Sequence, residues 1–146
     1  KASALRDYYF GAFGNNFVDD LDEKRYREYD SFPGYRIDAI AARSFVKSLG
    51  ELNLPPVRFE DIGTPGFYLS WARTAIFGGV LVSNPGAHDS TTAETLGAQV
   101  DFNFTVALRL PLTLSLGYAK GLGDGPGRRD ELMASLKILY TPVLIQ

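Results

Sequence analysis

The sequence predicts an all-β chain, an antiparallel up-and-down meander of about six strands. Three observations carry this. Apolar and polar residues alternate with period 2 in several stretches, as pleated strands require. The connections between those stretches are of hairpin length and mostly rich in Gly, Pro, Asp and Asn. Ten Phe, eight Tyr and one Trp, beside 15 Gly, form a composition that favours strands and their bends.

The elements follow in order. Ala4 to Val18 holds Tyr8, Tyr9, Phe10, Phe13 and Phe17 with Gly11 and Gly14 between them, and reads as a strand. Residues 19–36 read as a long charged loop ending in Phe32-Pro33-Gly34-Tyr35-Arg36. Arg43 to Leu54 reads as the second strand. A short helix near Ile37 to Ala42 stays open beside a strand reading, because Ile37, Ile40 and Ala41 lie near helical spacing.

Gly66 to Val82 is the third strand. Phe67, Leu69, Trp71, Ala75, Phe77 and Leu81 share one parity, and Tyr68, Ser70, Ala72 and Thr74 share the other. Thr95 to Val106 alternates most regularly: Leu96, Val100, Phe102 and Phe104 against Gln99, Asp101, Asn103 and Thr105. After a turn near Leu108 to Pro111, Leu112, Leu114, Leu116 and Tyr118 alternate with Thr113, Ser115, Gly117 and Ala119. Glu131 to Tyr140 is the sixth strand, carrying Leu132, Leu136 and Ile138 on one parity, and residues 141–146 are a tail.

Several function classes lose their footing at once. The net charge of -2 offers no basic balance for nucleic acid. The chain has no cysteine and one histidine, His88, in a Pro-Gly loop, so neither a thiol nucleophile nor a zinc site can be assembled from ordinary ligands. Gly121 to Gly127 lacks the Gly-Lys-Ser/Thr ending of a phosphate loop and reads as a hairpin connection. Asp19, Asp20, Asp22 and Glu23 lack the spacing of a calcium loop. Glu51, Glu60 and Asp61 are the candidate acid–base carboxylates, and nothing in the sequence pairs them. The expectation is therefore a protein that is not an enzyme and has no metal and no cofactor.

No apolar run approaches the ~20 residues of a membrane helix. Strands with one greasy and one small polar face instead suit a wall between lipid and water. On that reading the chain is a single segment, residues 1–146, forming part of a transmembrane outer-membrane β-barrel with a structural or transport role. Phe67, Leu69, Trp71, Phe77, Phe102, Phe104, Leu114, Leu116 and Leu136 are then expected to face lipid. Ser70, Thr74, Gln99, Asp101 and Asn103 are expected to face the lumen. Arg73 interrupts the apolar parity of its strand. Lys24, Arg25 and Arg27, interleaved with Tyr26 and Tyr29, are candidates for lipopolysaccharide phosphates. The rival expectation is a soluble β-barrel or sandwich holding an apolar ligand, since its strands alternate in the same way.

The order of segments resembles the C-terminal barrel region of the bacterial surface-antigen superfamily, which includes barrel-assembly proteins and two-partner secretion transporters. The parallel runs through Ser31-Phe32-Pro33-Gly34-Tyr35, the strand from Phe45 to Pro55 with Glu51 near its end, Ile76-Phe77-Gly78-Gly79, Leu96 to Tyr118, and Leu132 to Leu139. The resemblance implies a barrel with a loop directed into its lumen and a role in transport or translocation. In that family an arginine precedes the loop glycine and reaches acidic residues on the inner wall. Here Pro33 holds that place, and Arg36 is expected to substitute by pairing with Asp101. Six strands cannot close a barrel, which needs about eight. Further strands are thus expected from sequence upstream of Lys1 or from other chains, and both terminal strands are expected to pair with them. The chain starts at Lys1 without a signal peptide, as a processed chain or a segment of a longer one would.

Overall fold

A computed structural model describes residues 7–13, 24–60, 62–107 and 110–138. It is all-β and antiparallel. The strands are β1 (Tyr8–Phe10), β2 (Ile40–Ala42), β3 (Phe45–Asn53), β4 (Val57–Arg58), β5 (Gly63–Thr64), β6 (Phe67–Ser83), β7 (Thr91–Val106), β8 (Leu110–Gly123) and β9 (Asp130–Ile138).

Five long strands make the wall, in the order β3-β6-β7-β8-β9, which is also their order in the sequence. The short β4 and β5 continue the β3 side of β6. Both margins, β3 and β9, pair on one side only among the described residues, and they do not pair with each other.

The described part of the first expected strand, residues 7–13, is not part of this wall: Tyr8–Phe10 pairs with Ile40–Ala42 in a separate two-stranded ladder. Among the described residues the meander thus has five long strands where about six were expected. Residues 37–42 form no helix: Asp38 takes a positive φ of 53° and β2 follows at once. The remainder of the expected first strand, the acidic run at 19–23 and the tail lie outside the described residues.

β6 contains one extra residue. The β6–β7 register shifts between Leu69 and Trp71, so that Leu69 opposes Phe104 while Trp71 opposes Asn103. Ser70 is the inserted residue of this bulge. Because side chains alternate strictly, one inserted residue exchanges the faces of everything on one side of it.

Candidate functional site: a two-faced wall and the strap across it

The register determines the two faces of the wall, because directly opposed residues point the same way. One face is overlain by residues 7–13 and 24–44, here called the strap. The other face is open.

The open face is apolar from margin to margin. It carries Val46 and Leu52 of β3, and Phe67, Leu69, Ile76 and Val80 of β6. β7 adds Leu96, Val100, Phe102 and Phe104, β8 adds Leu114, Leu116 and Tyr118, and β9 adds Leu132, Leu136 and Ile138. Many are well exposed, Leu132 to 82% and Leu136 to 56%. Among the described residues of the five long strands, the charged ones here are Glu94, Lys120 and Asp130, clustered at one end where Lys120 opposes both Leu96 and Asp130. From Leu96 to Val106 the uncharged band spans ten residue steps, about 34 Å along the strand. A strand tilt of ~45° reduces that to about 25 Å.

The covered face is the reverse. Lys47, Glu51, Arg73, Asp101, Glu131 and Lys137, the remaining charged residues of the five long strands, all lie on it. Between them run small and polar groups: Thr95, Gly97, Gln99 and Asn103 of β7, and Thr113, Ser115, Gly117 and Ala119 of β8.

Seven of the nine residues expected to face lipid share the open face: Phe67, Leu69, Phe102, Phe104, Leu114, Leu116 and Leu136. Trp71 and Phe77 do not. The Ser70 bulge places them on the covered face, opposite Asn103 and Gly97. Gln99, Asp101 and Asn103, expected in the lumen, lie on the covered face, whereas Thr74, grouped with them, opposes Val100 on the open one. Ser70, as the bulge residue, opposes nothing on β7, and its carbonyl accepts from the Phe59 amide instead.

Arg73, which interrupted the apolar parity, is explained by the same bulge. It faces Asp101 at 3.6 Å and lies over the Trp71 ring. Asp101 also accepts from Gln99 Nε2 (2.6 Å) and Ser115 Oγ (2.7 Å), so three strands meet at one carboxylate. Arg36 does not reach it. Arg36 is exposed, and its backbone amide donates to the Gly127 carbonyl.

The strap lies toward the end of the wall that carries Glu94 and Lys120. Phe32, Pro33, Gly34 and Tyr35 are buried there. Gly34 has φ 89°, a left-handed conformation that glycine adopts without strain, and its backbone lies directly against Gly121. The Pro33 carbonyl accepts from Thr95 Oγ1 at 2.5 Å. The Tyr35 hydroxyl donates to the Leu122 carbonyl and accepts from the Glu94 amide at 3.1 Å. Burial holds that phenol above its ordinary pKa.

Aromatic rings of the strap pack against the covered face of the wall. Tyr26 stacks on Phe77 with centroids 4.1 Å apart, Phe13 meets the same ring edge-on, and both cluster with Ala75, Ala119 and Met133. Farther along, Phe10, Phe32, Tyr35 and Ile40 cluster with Leu81 and Ala93.

Charged side chains of the wall hold the strap's backbone at both margins. On β3, Lys47 Nζ donates to the carbonyls of Glu28 (3.0 Å), Tyr29 (3.0 Å) and Ser31 (2.6 Å). On β9, Glu131 accepts the Phe13 amide on one carboxylate oxygen (3.2 Å) and the Gly34 amide on the other (2.9 Å). Glu51 binds Lys24 at 3.3 Å and Arg27 at 2.7 Å. Lys24 is 8% exposed, and burial pushes its ammonium below the ordinary value while Glu51 opposes that shift. Lys24 and Arg27, two of the three cations expected to meet lipopolysaccharide phosphates, are thus engaged with Glu51 of the wall, Lys24 buried and Arg27 partly exposed.

The sequence reading missed Lys47, Glu131, Thr95 and Gly121. The available signal was parity: each shares the face of Gln99 and Asp101. Among the described residues, no group of three or more His, Cys, Asp or Glu side chains is arranged to hold a metal. Searched against protein-family models, curated proteins and solved structures, the chain matches none of them.

Proposed function

We propose that this chain is a segment of an outer-membrane β-barrel wall with a loop folded into the lumen, serving a structural or transport role. The observation that carries the reading is the segregation of charge. Within the five long strands every charged residue is either on the strap side or at one end of the open face. A water-soluble sheet with one covered face places its apolar residues under the cover and its charges outside. This wall packs Ala75, Phe77 and Leu81 under the cover but also puts six of its nine charges there, and it leaves the open face uncharged over most of its length, which suits hydrocarbon outside and a polar interior. A band of about 25 Å matches the apolar height of such barrels.

The unpaired margins of β3 and β9 fit the same reading. Open edges are not tolerated in lipid, so further strands, from this protein's own sequence or from other chains, complete the barrel. As part of the same proposal, the buried Phe32-Pro33-Gly34-Tyr35 turn takes the place of the lumenal loop motif of the surface-antigen superfamily, with Pro33 where that family's loop carries arginine.

Fractionation tests the proposal. The full-length protein is expected in the outer-membrane pellet, resistant to an alkaline carbonate wash and released by detergent. Recovery in the aqueous supernatant would overturn it, in favour of a soluble sheet whose open face holds an apolar ligand.

A further inference from the structure

We propose that the strap is a detachable closure of the lumen, fastened at the two margins of the wall by clasps of opposite charge, Lys47 and Glu131. That it closes a lumen rests on the barrel reading above; the clasps themselves do not.

The wall is complete without the strap. None of the ladders joining β3, β6, β7, β8 and β9 uses a strap residue, and β1 pairs only with β2, inside the strap. The strap's backbone also pairs with the turn before β9, where the Arg36 amide donates to Gly127 and the Arg129 amide to Gly34, but these bonds lie outside the ladders, so the strap can open while the strands keep their own hydrogen bonds.

The two clasps divide the strap's backbone by polarity. The ammonium of Lys47 gathers three carbonyls from one turn, Glu28, Tyr29 and Ser31. The carboxylate of Glu131 gathers two amides that are distant in sequence, Phe13 and Gly34, and so ties the strap's two segments to each other as well as to the wall. A buried amide or carbonyl without a partner is costly. Each clasp thus supplies what its part of the strap would otherwise take from water. Between them the floor is built of Gly117, Ala75, Ala93 and Ala119, from which Phe77, Leu81 and Met133 rise to pack against the strap's rings. Opening the strap parts those ring contacts and leaves the ladders beneath them whole.

The test is amide hydrogen exchange on the full-length protein with two single variants. Glu131→Gln is expected to speed exchange at Phe13 and Gly34 by roughly 10- to 100-fold, the effect of losing hydrogen bonds to an ionised group. Lys47→Met is expected to do the same at Arg27, Glu28 and Ser31, whose amides close the turn it holds. In both, the β7 and β8 amides keep their protection. Equal acceleration across β7 and β8, or none in the strap, overturns the proposal. Should Glu131→Gln not fold, Lys47→Met decides alone. In planar bilayers the two variants are expected to raise single-channel conductance. Released strap amides with unchanged conductance would refute its role as a closure. Failure of the wild-type protein to insert would refute the barrel reading instead, and the exchange pattern would still decide the clasps.

Discussion

Replacing Leu116 by Arg separates a lipid-facing wall from a water-facing one. Leu116 lies midway along the uncharged band of the open face, between Val100 on β7 and Ala134 on β9. It is 44% exposed, so a longer side chain has room. It stands four residues from Lys120, about 14 Å along the strand and about 10 Å in depth once the strand is tilted. An arginine at the midplane of a bilayer costs ~2–4 kcal/mol, against 0–1 near the interface. At 1.4 kcal/mol per tenfold, Leu116→Arg is expected to shift the folding equilibrium by roughly 30- to 700-fold. Leu122→Arg, beyond Lys120 and opposite Glu94, is expected to shift it by less than about fivefold. The assay is reversible denaturant unfolding of the full-length protein in lipid vesicles. If the open face met water, both variants would stay within about 0.5 kcal/mol of the parent. Equal effects at the two positions would refute the depth argument.

Two further predictions concern the covered face. Asp101→Ala removes the shared partner of Arg73, Gln99 and Ser115 and is expected to destabilise by about 1–3 kcal/mol, read as a lower denaturation midpoint; an unchanged midpoint would show that these bonds contribute nothing. Gly97→Ala places a methyl group against the Phe77 ring and 2.7 Å from the Tyr118 carbonyl oxygen, and about 1–3 kcal/mol of destabilisation is expected, whereas Gly50→Ala, whose nearest atom is 3.8 Å away, is expected to be tolerated; equal effects in the same unfolding assay would contradict the close packing at Gly97.

The strands that were legible in sequence are those with unbroken alternation. In β7 the pattern from Leu96 to Val106 matches the observed faces residue by residue, because no insertion interrupts it. β8 and β9 follow for the same reason. β6 misled in its middle. Phe67, Leu69, Trp71 and Phe77 share a parity in sequence, but the inserted Ser70 puts the first two on one face and the last two on the other. A bulge leaves no mark in a hydrophobic pattern when both faces at that point carry aromatics. The interruption at Arg73 was the one clue, since a charge amid the apolar parity signals that the parity has changed.

The strap was less legible still, because its organisation comes from long-range contacts. Tyr8, Phe10 and Phe13 have a strand composition, yet the strand there is the three-residue Tyr8–Phe10, and Phe10 and Phe13 serve as rings packed on the wall. Its anchors Lys47 and Glu131 lie 84 positions apart in sequence, and only the folded sheet brings both to the strap. Arg36 was expected at Asp101 by analogy of motif, but the bulge had already brought Arg73 there from the neighbouring strand.

The central claim is that the open face touches hydrocarbon, and spin-label accessibility along β7 tests it most directly. Single labels at each position from 96 to 106, in the full-length protein in bilayers, are exposed to oxygen and to a water-soluble nickel complex. Even positions are expected to collide with oxygen, most strongly near position 100, and odd positions are expected not to. Even positions that collide mainly with the nickel complex, or with neither reagent, would contradict the account.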